Sequence, residues 1–393
     1  MTNVLATLAI VRALIQPAQP AAPQPEPAPA AQASSQPSSQ PSSQPPAPRA
    51  PEVETRVPGS AQNRALEGEI TPELDAAVSK GLAWLAARQS ADGAFGEGRW
   101  GRSVAITSLG GLALMADGNL PGRGTYGEQV GRSLKFVLEN VTESGLIATE
   151  GASAPMYGHG FSLLFLAEVY GMTGGAISGI EGLGSEAQVA SRLHSAILKA
   201  TRLIETTQNS EGGWRYNPVP NDADVSVTIT QVMALRAVRN AGIEVDKNVI
   251  DRAVEYVKKC QNPDGGFAYQ LIPGSSSLWP RSAAGVATLY YAGLYQDPAI
   301  DRGLRYVNEN AFPGTIDPAR NHYWYGQYYA VQTMYLAGGE KWSAWWPALR
   351  RELLASQRED GSWSDDSIGT VYGTSMALIV LQMPKRYLPI FQK

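Results

Sequence analysis

Cysteine and histidine are nearly missing from this chain of 393 residues. The one cysteine, Cys260, has no partner for an intrachain disulfide and none for a multi-cysteine metal site. On a helix-like segment it reads as a small buried hydrophobe rather than a nucleophile. Three histidines, His159, His194 and His322, leave most acid–base and metal chemistry thinly supplied. Charge is modest, with 32 Lys and Arg against 36 Asp and Glu, a formal net of −4. That balance has the wrong sign for a nucleic-acid partner, and no basic cluster suggests one. Long apolar runs are absent too. The run at residues 4–15, VLATLAIVRALI, is broken by Arg12 and too short to span a bilayer.

That run nevertheless resembles the apolar region of a secretory signal, and small residues follow it near Ala18–Ala22. Met1–Asn3 carries no Lys or Arg, which counts against export. Both locations stay open: the periplasm or cell envelope, with peripheral membrane association, or the cytoplasm. Residues 1–16 are therefore expected to be a signal or anchor segment. Residues 17–65, dominated by Pro, Ala, Gln and Ser as in QPSSQPSSQPPAP, have little to bury and read as a disordered linker. The globular part is residues 66–393.

Two kinds of helical segment alternate there. Residues 72–89, 126–141, 185–208, 246–261, 297–310 and 342–357 are amphipathic. In 246–261, Val249, Ile250, Ala253, Val254 and Val257 form one stripe, while Asp251, Arg252, Glu255 and Lys258 face away. Residues 103–116, 157–170, 224–238, 281–294, 323–337 and 370–383 are apolar almost all round and rich in small residues. Such helices must be buried on every side. The β-branched stretch 224–230 has strand character, but its length and the pattern of the other five favour helix. The pairs recur about every fifty residues, the mark of repeats that cannot bury their own apolar faces alone. Six buried helices inside six amphipathic ones can satisfy one another by closing into a ring. The expected fold is an all-α (α/α)6 toroid.

A short motif punctuates the repeats. Gln, three residues, Gly, one residue, then Phe or Trp appears at Gln89–Phe95, Gln208–Trp214, Gln261–Phe267 and Gln357–Trp363. Each copy lies where an amphipathic helix ends and the chain turns inward. Gly permits a positive φ at the helix C-terminus, the aromatic can seal neighbouring repeats, and the Gln amide can satisfy groups at helix ends. Together with Lys80, Gly81, Trp84 and Leu85 before the first copy, these segments resemble the QW repeats of the terpene cyclase and protein prenyltransferase superfamily. The resemblance covers the globular part and implies the same toroid. Thioester-containing complement domains share that ring, but at Thr125–Gln129 a Tyr stands where their cysteine would be, so no thioester can form.

The loops entering the buried helices should line the ring mouth. Ligand-binding candidates there are Tyr157, His159, Trp279, Arg281, His322, Tyr325, Tyr328 and Tyr372. An aromatic-walled cavity suits an isoprenoid or other apolar small molecule, and aromatic faces can stabilise carbocations. The resemblance implies an acid as well. Class II cyclases carry Asp-x-Asp-Asp-Thr at the start of such a helix, with the middle Asp as proton donor. Here the text is Asp222-Ala223-Asp224-Val225-Ser226. In one register Asp222 and Asp224 match and Val225 replaces the last Asp. In the other, only Asp224 matches and Ser226 falls on the donor. Paired carboxylates in an apolar site raise one pKa, which makes an acid; alternatively Asp224 simply caps the helix that follows.

The zinc of protein prenyltransferases is not expected. The loop after Gly265-Gly266-Phe267 lacks their Asp-x-Cys, and their His position falls near Gly373. No cofactor or metal is implied. Three functions remain: an isoprenoid-binding protein or cyclase-like isomerase using Asp224 with Asp222; a non-catalytic scaffold whose ring surface binds protein or whose cavity holds lipid; and an (α/α)6 carbohydrate-active enzyme with Asp224 and Asp365 as acid and base.

Overall fold

The computed structural model describes residues 68–318 and 322–392, so the expected signal and linker segments lie outside the described residues. Twelve α-helices and no strand occur among the described residues. They are α1 Pro72–Ala86, α2 Val104–Met115, α3 Gly127–Glu139, α4 Pro155–Thr173, α5 Glu186–Thr207, α6 Val225–Asn240, α7 Lys247–Lys259, α8 Trp279–Tyr291, α9 Pro298–Ala311, α10 Tyr323–Ala337, α11 Gly339–Ser356 and α12 Thr370–Leu381. Residues 224–230 are helical, since Asp224 caps α6 and the helix runs to Asn240.

The even-numbered helices form an inner ring. Each packs on the next, and α12 returns to α2, so the ring is closed. Most of their side chains are buried: in α12 every residue from Val371 to Leu381 is. The odd-numbered helices form the outer coat and bury only a stripe, as α7 does with Val249, Ile250, Ala253, Val254, Tyr256 and Val257. The seam between the last and first repeats is joined by hydrogen bonds. Gln382 Nε2 donates to the Ala113 carbonyl at 2.9 Å, and Trp84 Nε1 to Asp360 Oδ2 at 2.9 Å.

The Gln-Gly-aromatic corners explain both closure and spacing. Each Gln amide donates twice, to the carbonyl of its own Gly and to one near the start of the next outer helix. Gln208 reaches Gly212 and Val249, both at 2.8 Å; Gln261 reaches Gly265 at 3.0 Å and Ala299 at 2.8 Å. Gln357 reaches Gly361 and, across the seam, Ala77 in α1, both at 2.9 Å. The neighbouring carbonyl lies inside a helix and uses its second lone pair, so the amide does not fill an orphan group as expected.

The glycine also differs from expectation. It sits in the loop beyond the helix end, not at the C-cap. There its φ is positive, 102° at Gly212, and its α-carbon lies against the next outer helix, where a Cβ would come 2.3 Å from the Arg252 carbonyl oxygen. No other residue fits both constraints. The backbone N–H of the aromatic then donates to an inner-helix hydroxyl: Phe95 to Thr107, Trp214 to Thr228, Phe267 to Ser282 and Trp363 to Thr374.

Candidate functional site at the ring mouth

The ring mouth is built from the chain between each corner and the inner helix that follows. Its most buried ionisable group is Asp224, which is 0% exposed. The start of α6 is tied into two corner loops: Asp224 N–H donates to the Trp214 carbonyl and Val225 N–H to the Tyr269 carbonyl, both at 3.0 Å. The carboxylate caps the helix, with Oδ1 accepting the Val227 N–H at 2.8 Å. Oδ2 accepts the Tyr269 hydroxyl at 3.1 Å, and Arg215 Nε lies 3.8 Å away. The Tyr269 hydroxyl is in turn bonded to the hydroxyl of Tyr216.

Burial dominates the electrostatics of Asp224. It pushes the carboxyl up to about 7, against the opposing pull of the Val227 N–H, Arg215 and Tyr269. Asp222 is not the cause. Its side chain is half exposed and ion-paired with Arg215. Arg215 thus stands between the two carboxylates, its guanidinium 4.9 Å from the ring centre of Tyr216. Arg215, Tyr216 and Tyr269 are part of the site but were missed by reading only the inner-helix entrances. A signal was present: Tyr follows two residues after the corner aromatic in Trp214-Arg215-Tyr216 and Phe267-Ala268-Tyr269.

The other candidates divide into three groups. Tyr157, Tyr325, Tyr372 and Arg281 meet around the mouth. The Tyr157 ring lies 6.1 Å from that of Tyr216, and the Tyr325 hydroxyl donates to the Ser226 carbonyl at 3.4 Å. Tyr325 and Tyr372 are close enough for the phenols to influence each other, and burial holds both protonated. Arg281 Nε donates to the Phe267 carbonyl at 2.9 Å. His322 is exposed and holds a left-handed backbone, φ 54°, just before α10.

A second group is committed elsewhere. His159 is wholly buried, its Nδ1 accepting the Ile147 N–H at 3.1 Å and its Nε2 bonded to the Ala200 carbonyl at 3.2 Å. Both nitrogens are thus occupied by backbone. Burial lowers its pKa to about 4, so the ring is neutral and Nε2 is the donor. Trp279 packs the outer edge of its ring against Gly326, where a Cβ would come 2.0 Å from it.

The third group fills the ring. Tyr328 of α10 meets Phe161 of α4, the inner helix on the opposite wall, edge to face at 5.9 Å between ring centres. Its hydroxyl donates to Met233 Sδ of α6 at 3.3 Å, and its ring touches Tyr329 at 4.9 Å. Tyr328 and Tyr329 are 1% and 0% exposed. Below them Tyr291 of α8 bonds to Gln332 of α10. The segment Leu388–Phe391 closes that end, and the Ile390 N–H donates to the buried Glu168 at 3.3 Å. The ring is therefore closed beneath its mouth by aromatic side chains, tyrosines above all. Asp365 stands apart, its Oδ1 accepting the N–H groups of Ser367 and Ile368. Among the described residues no group of three or more His, Cys, Asp or Glu could hold a metal ion, and no helix is long and apolar enough to cross a membrane.

Comparison with known proteins agrees with this architecture. Residues 189–315 match the family described as "Prenyltransferase alpha-alpha toroid domain". A terpene cyclase–glycosyl transferase fusion protein of Humicola fuscoatra is 28% identical over 144 residues, 34% of this chain; the match spans about a tenth (10%) of that relative's length. Among solved structures, a type II terpene cyclase from Scytonema in complex with geranylgeranyl dihydroxybenzoate superposes with a TM-score of 0.53 at 12% identity, covering 84% of this chain and 99% of that one. A D-mannose isomerase gives 0.55 at 12% identity, covering 81% and 98%. An inactive variant of the alpha-1,6-mannanase of Salegentibacter sp. HEL1_6, in complex with alpha-1,6-mannotriose, gives 0.55 at 6% identity, covering 81% and 100%. These likenesses are of fold. The globular part of this chain is a terpene cyclase/prenyltransferase-like α/α toroid.

Proposed function

We propose that the chain is a binding toroid, which receives an apolar or aromatic small molecule of isoprenoid type at its ring mouth and does not cyclise a polyprene inside the ring. One observation carries this reading. Phe161 and Tyr328 come from opposite walls and meet across the axis, so the hollow that would fold a long chain is occupied by the protein's own side chains. The tyrosines around the mouth offer faces to an apolar ligand and hydroxyls to a polar end. The terpene cyclase from Scytonema was solved with a geranylgeranyl-bearing aromatic; a smaller molecule of that character is the ligand proposed here.

A second reading has its own support. Asp224 stands at the side of the mouth with its carboxyl pushed up to about 7, so near neutral pH a large fraction carries a proton. In a cyclase-like isomerase that proton would pass to an alkene carbon. The carboxylate left behind would be stabilised by the Val227 N–H, Tyr269 and Arg215, and would take a proton back when the cation is quenched. This requires Phe161 and Tyr328 to turn aside.

One experiment separates the readings. The full chain is incubated with squalene and with geranylgeranyl diphosphate, and extracts are analysed by mass spectrometry. Both substrates are expected back unchanged. A cyclised product that disappears in Asp224→Asn would overturn the binding reading in favour of acid catalysis.

A further inference from the structure

We infer that the molecule taken at the mouth carries a carboxylate and that Arg281 receives it. The inference rests on the binding reading above and adds the ligand's polar end.

Among the described arginines at this mouth, two are neutralised by carboxylates. Arg102 pairs with Asp92 and Arg215 with Asp222. Arg281 has no such partner among the described residues. Its Nε donates to the Phe267 carbonyl at 2.9 Å and its Nη2 to the Ser276 carbonyl, both neutral acceptors. The groups that act on it electrostatically are phenols, those of Tyr306, Tyr269 and Tyr325, and no carboxylate is among them.

The position makes a lone cation costly. Arg281 is the third residue of α8 and partly buried. The positive end of a helix dipole disfavours a cation, and burial disfavours it further, drawing its pKa down. Leu278, the residue before α8, offers no side-chain cap to the first-turn N–H groups. An anion placed here offsets all three costs at once. The guanidinium is also suited to receive it. A guanidinium has five N–H donors, and the two carbonyl bonds hold the fork in place while leaving the others for a carboxylate. The Tyr325 ring beside it would face the ligand's apolar body.

Geranoic acid and geraniol, which differ only at the head group, are titrated into the full chain at neutral pH by calorimetry. The same titrations are run on Arg281→Gln and Arg281→Lys. Wild type should bind the acid about tenfold tighter than the alcohol, as expected for one charge-assisted contact in a partly buried site. Arg281→Gln should bring the two within about twofold. Arg281→Lys gives up the same carbonyl fork but keeps the charge, so it should retain most of the preference. Equal binding of acid and alcohol to wild type, or a preference that survives in Arg281→Gln, overturns the inference and leaves the binding reading standing. If neither compound binds at millimolar concentration, the two fall together.

Discussion

The second and third repeats solve one problem with different residues. In the third, Gln208 ties the corner to the next outer helix through Val249, and Thr228 accepts the N–H of Trp214. The second has no such Gln. Val141 stands there, and Asn140 before it turns back on its own helix, donating to the Phe136 carbonyl at 2.8 Å. The glycine persists: Gly145 has φ 89°, and a Cβ on it would come 2.4 Å from the Lys199 carbonyl oxygen. His159 replaces both missing partners. It accepts the Ile147 N–H as the threonine would, and its other nitrogen serves Ala200 in the next outer helix. In the four complete corners the Gln reaches a carbonyl three residues before the one facing the glycine, which would be Ala196 here. His159 instead reaches one turn further on. What these five corners share is the glycine and two satisfied backbone groups; which side chain supplies them varies.

The comparison can be broken at several levels. The largest effect is expected at the shared glycine. Gly212→Ala puts a methyl into the Arg252 carbonyl at a positive-φ position, and should cost more than about 3 kcal/mol in denaturant unfolding. A loss below about 1 kcal/mol would mean the outer helix simply moves aside.

Next is His159→Thr. It restores the hydroxyl seen in the other repeats but leaves the Ala200 carbonyl unserved and a cavity behind, at a cost of roughly 2–4 kcal/mol at neutral pH. Its pH dependence sharpens the comparison. The folded pKa of about 4 lies below the ordinary 6.5, so neutral His159 contributes stability that is fully present above about 6.5 and lost as pH falls through 4. The gap between wild type and variant should therefore narrow between those two values. A constant gap would show that His159 does not titrate with folding.

The smallest effect is Gln208→Leu, which removes two hydrogen bonds from a buried amide while nearly keeping its volume. It should cost about 1–2 kcal/mol by thermal or denaturant unfolding, with no pH dependence of its own. A larger loss than that of His159→Thr would reverse the ranking of the two solutions.

Legibility from sequence followed the range of the interactions. The helix pairs, their alternation and the corners were readable because periodicity and spacing are local, and each repeat states them again. The segment Asp222–Ser226 was readable as a helix start, since Asp before a β-branched run is a local capping signal. Arg215 and Tyr269 were not, because Arg215 reaches Asp222 only when its own loop folds back, and Tyr269 meets Asp224 and Tyr216 only when two corner loops stack. His159 looked like a site residue because it stands at the entrance of a buried helix; its two backbone partners, Ile147 and Ala200, come from different segments, and no single stretch announces the pairing.

The sequence by itself determined six alternating helix pairs and favoured a closed ring, because wholly apolar helices need an inner wall and closure supplies it. Tertiary structure alone decided whether that ring is hollow. Phe161 and Tyr328 are ordinary inner-helix aromatics in the text, and they become a plug only because the ring's diameter brings opposite walls within reach of one another. It likewise decided that Asp224 is raised by burial rather than by Asp222, since Arg215 folds in between the two carboxylates.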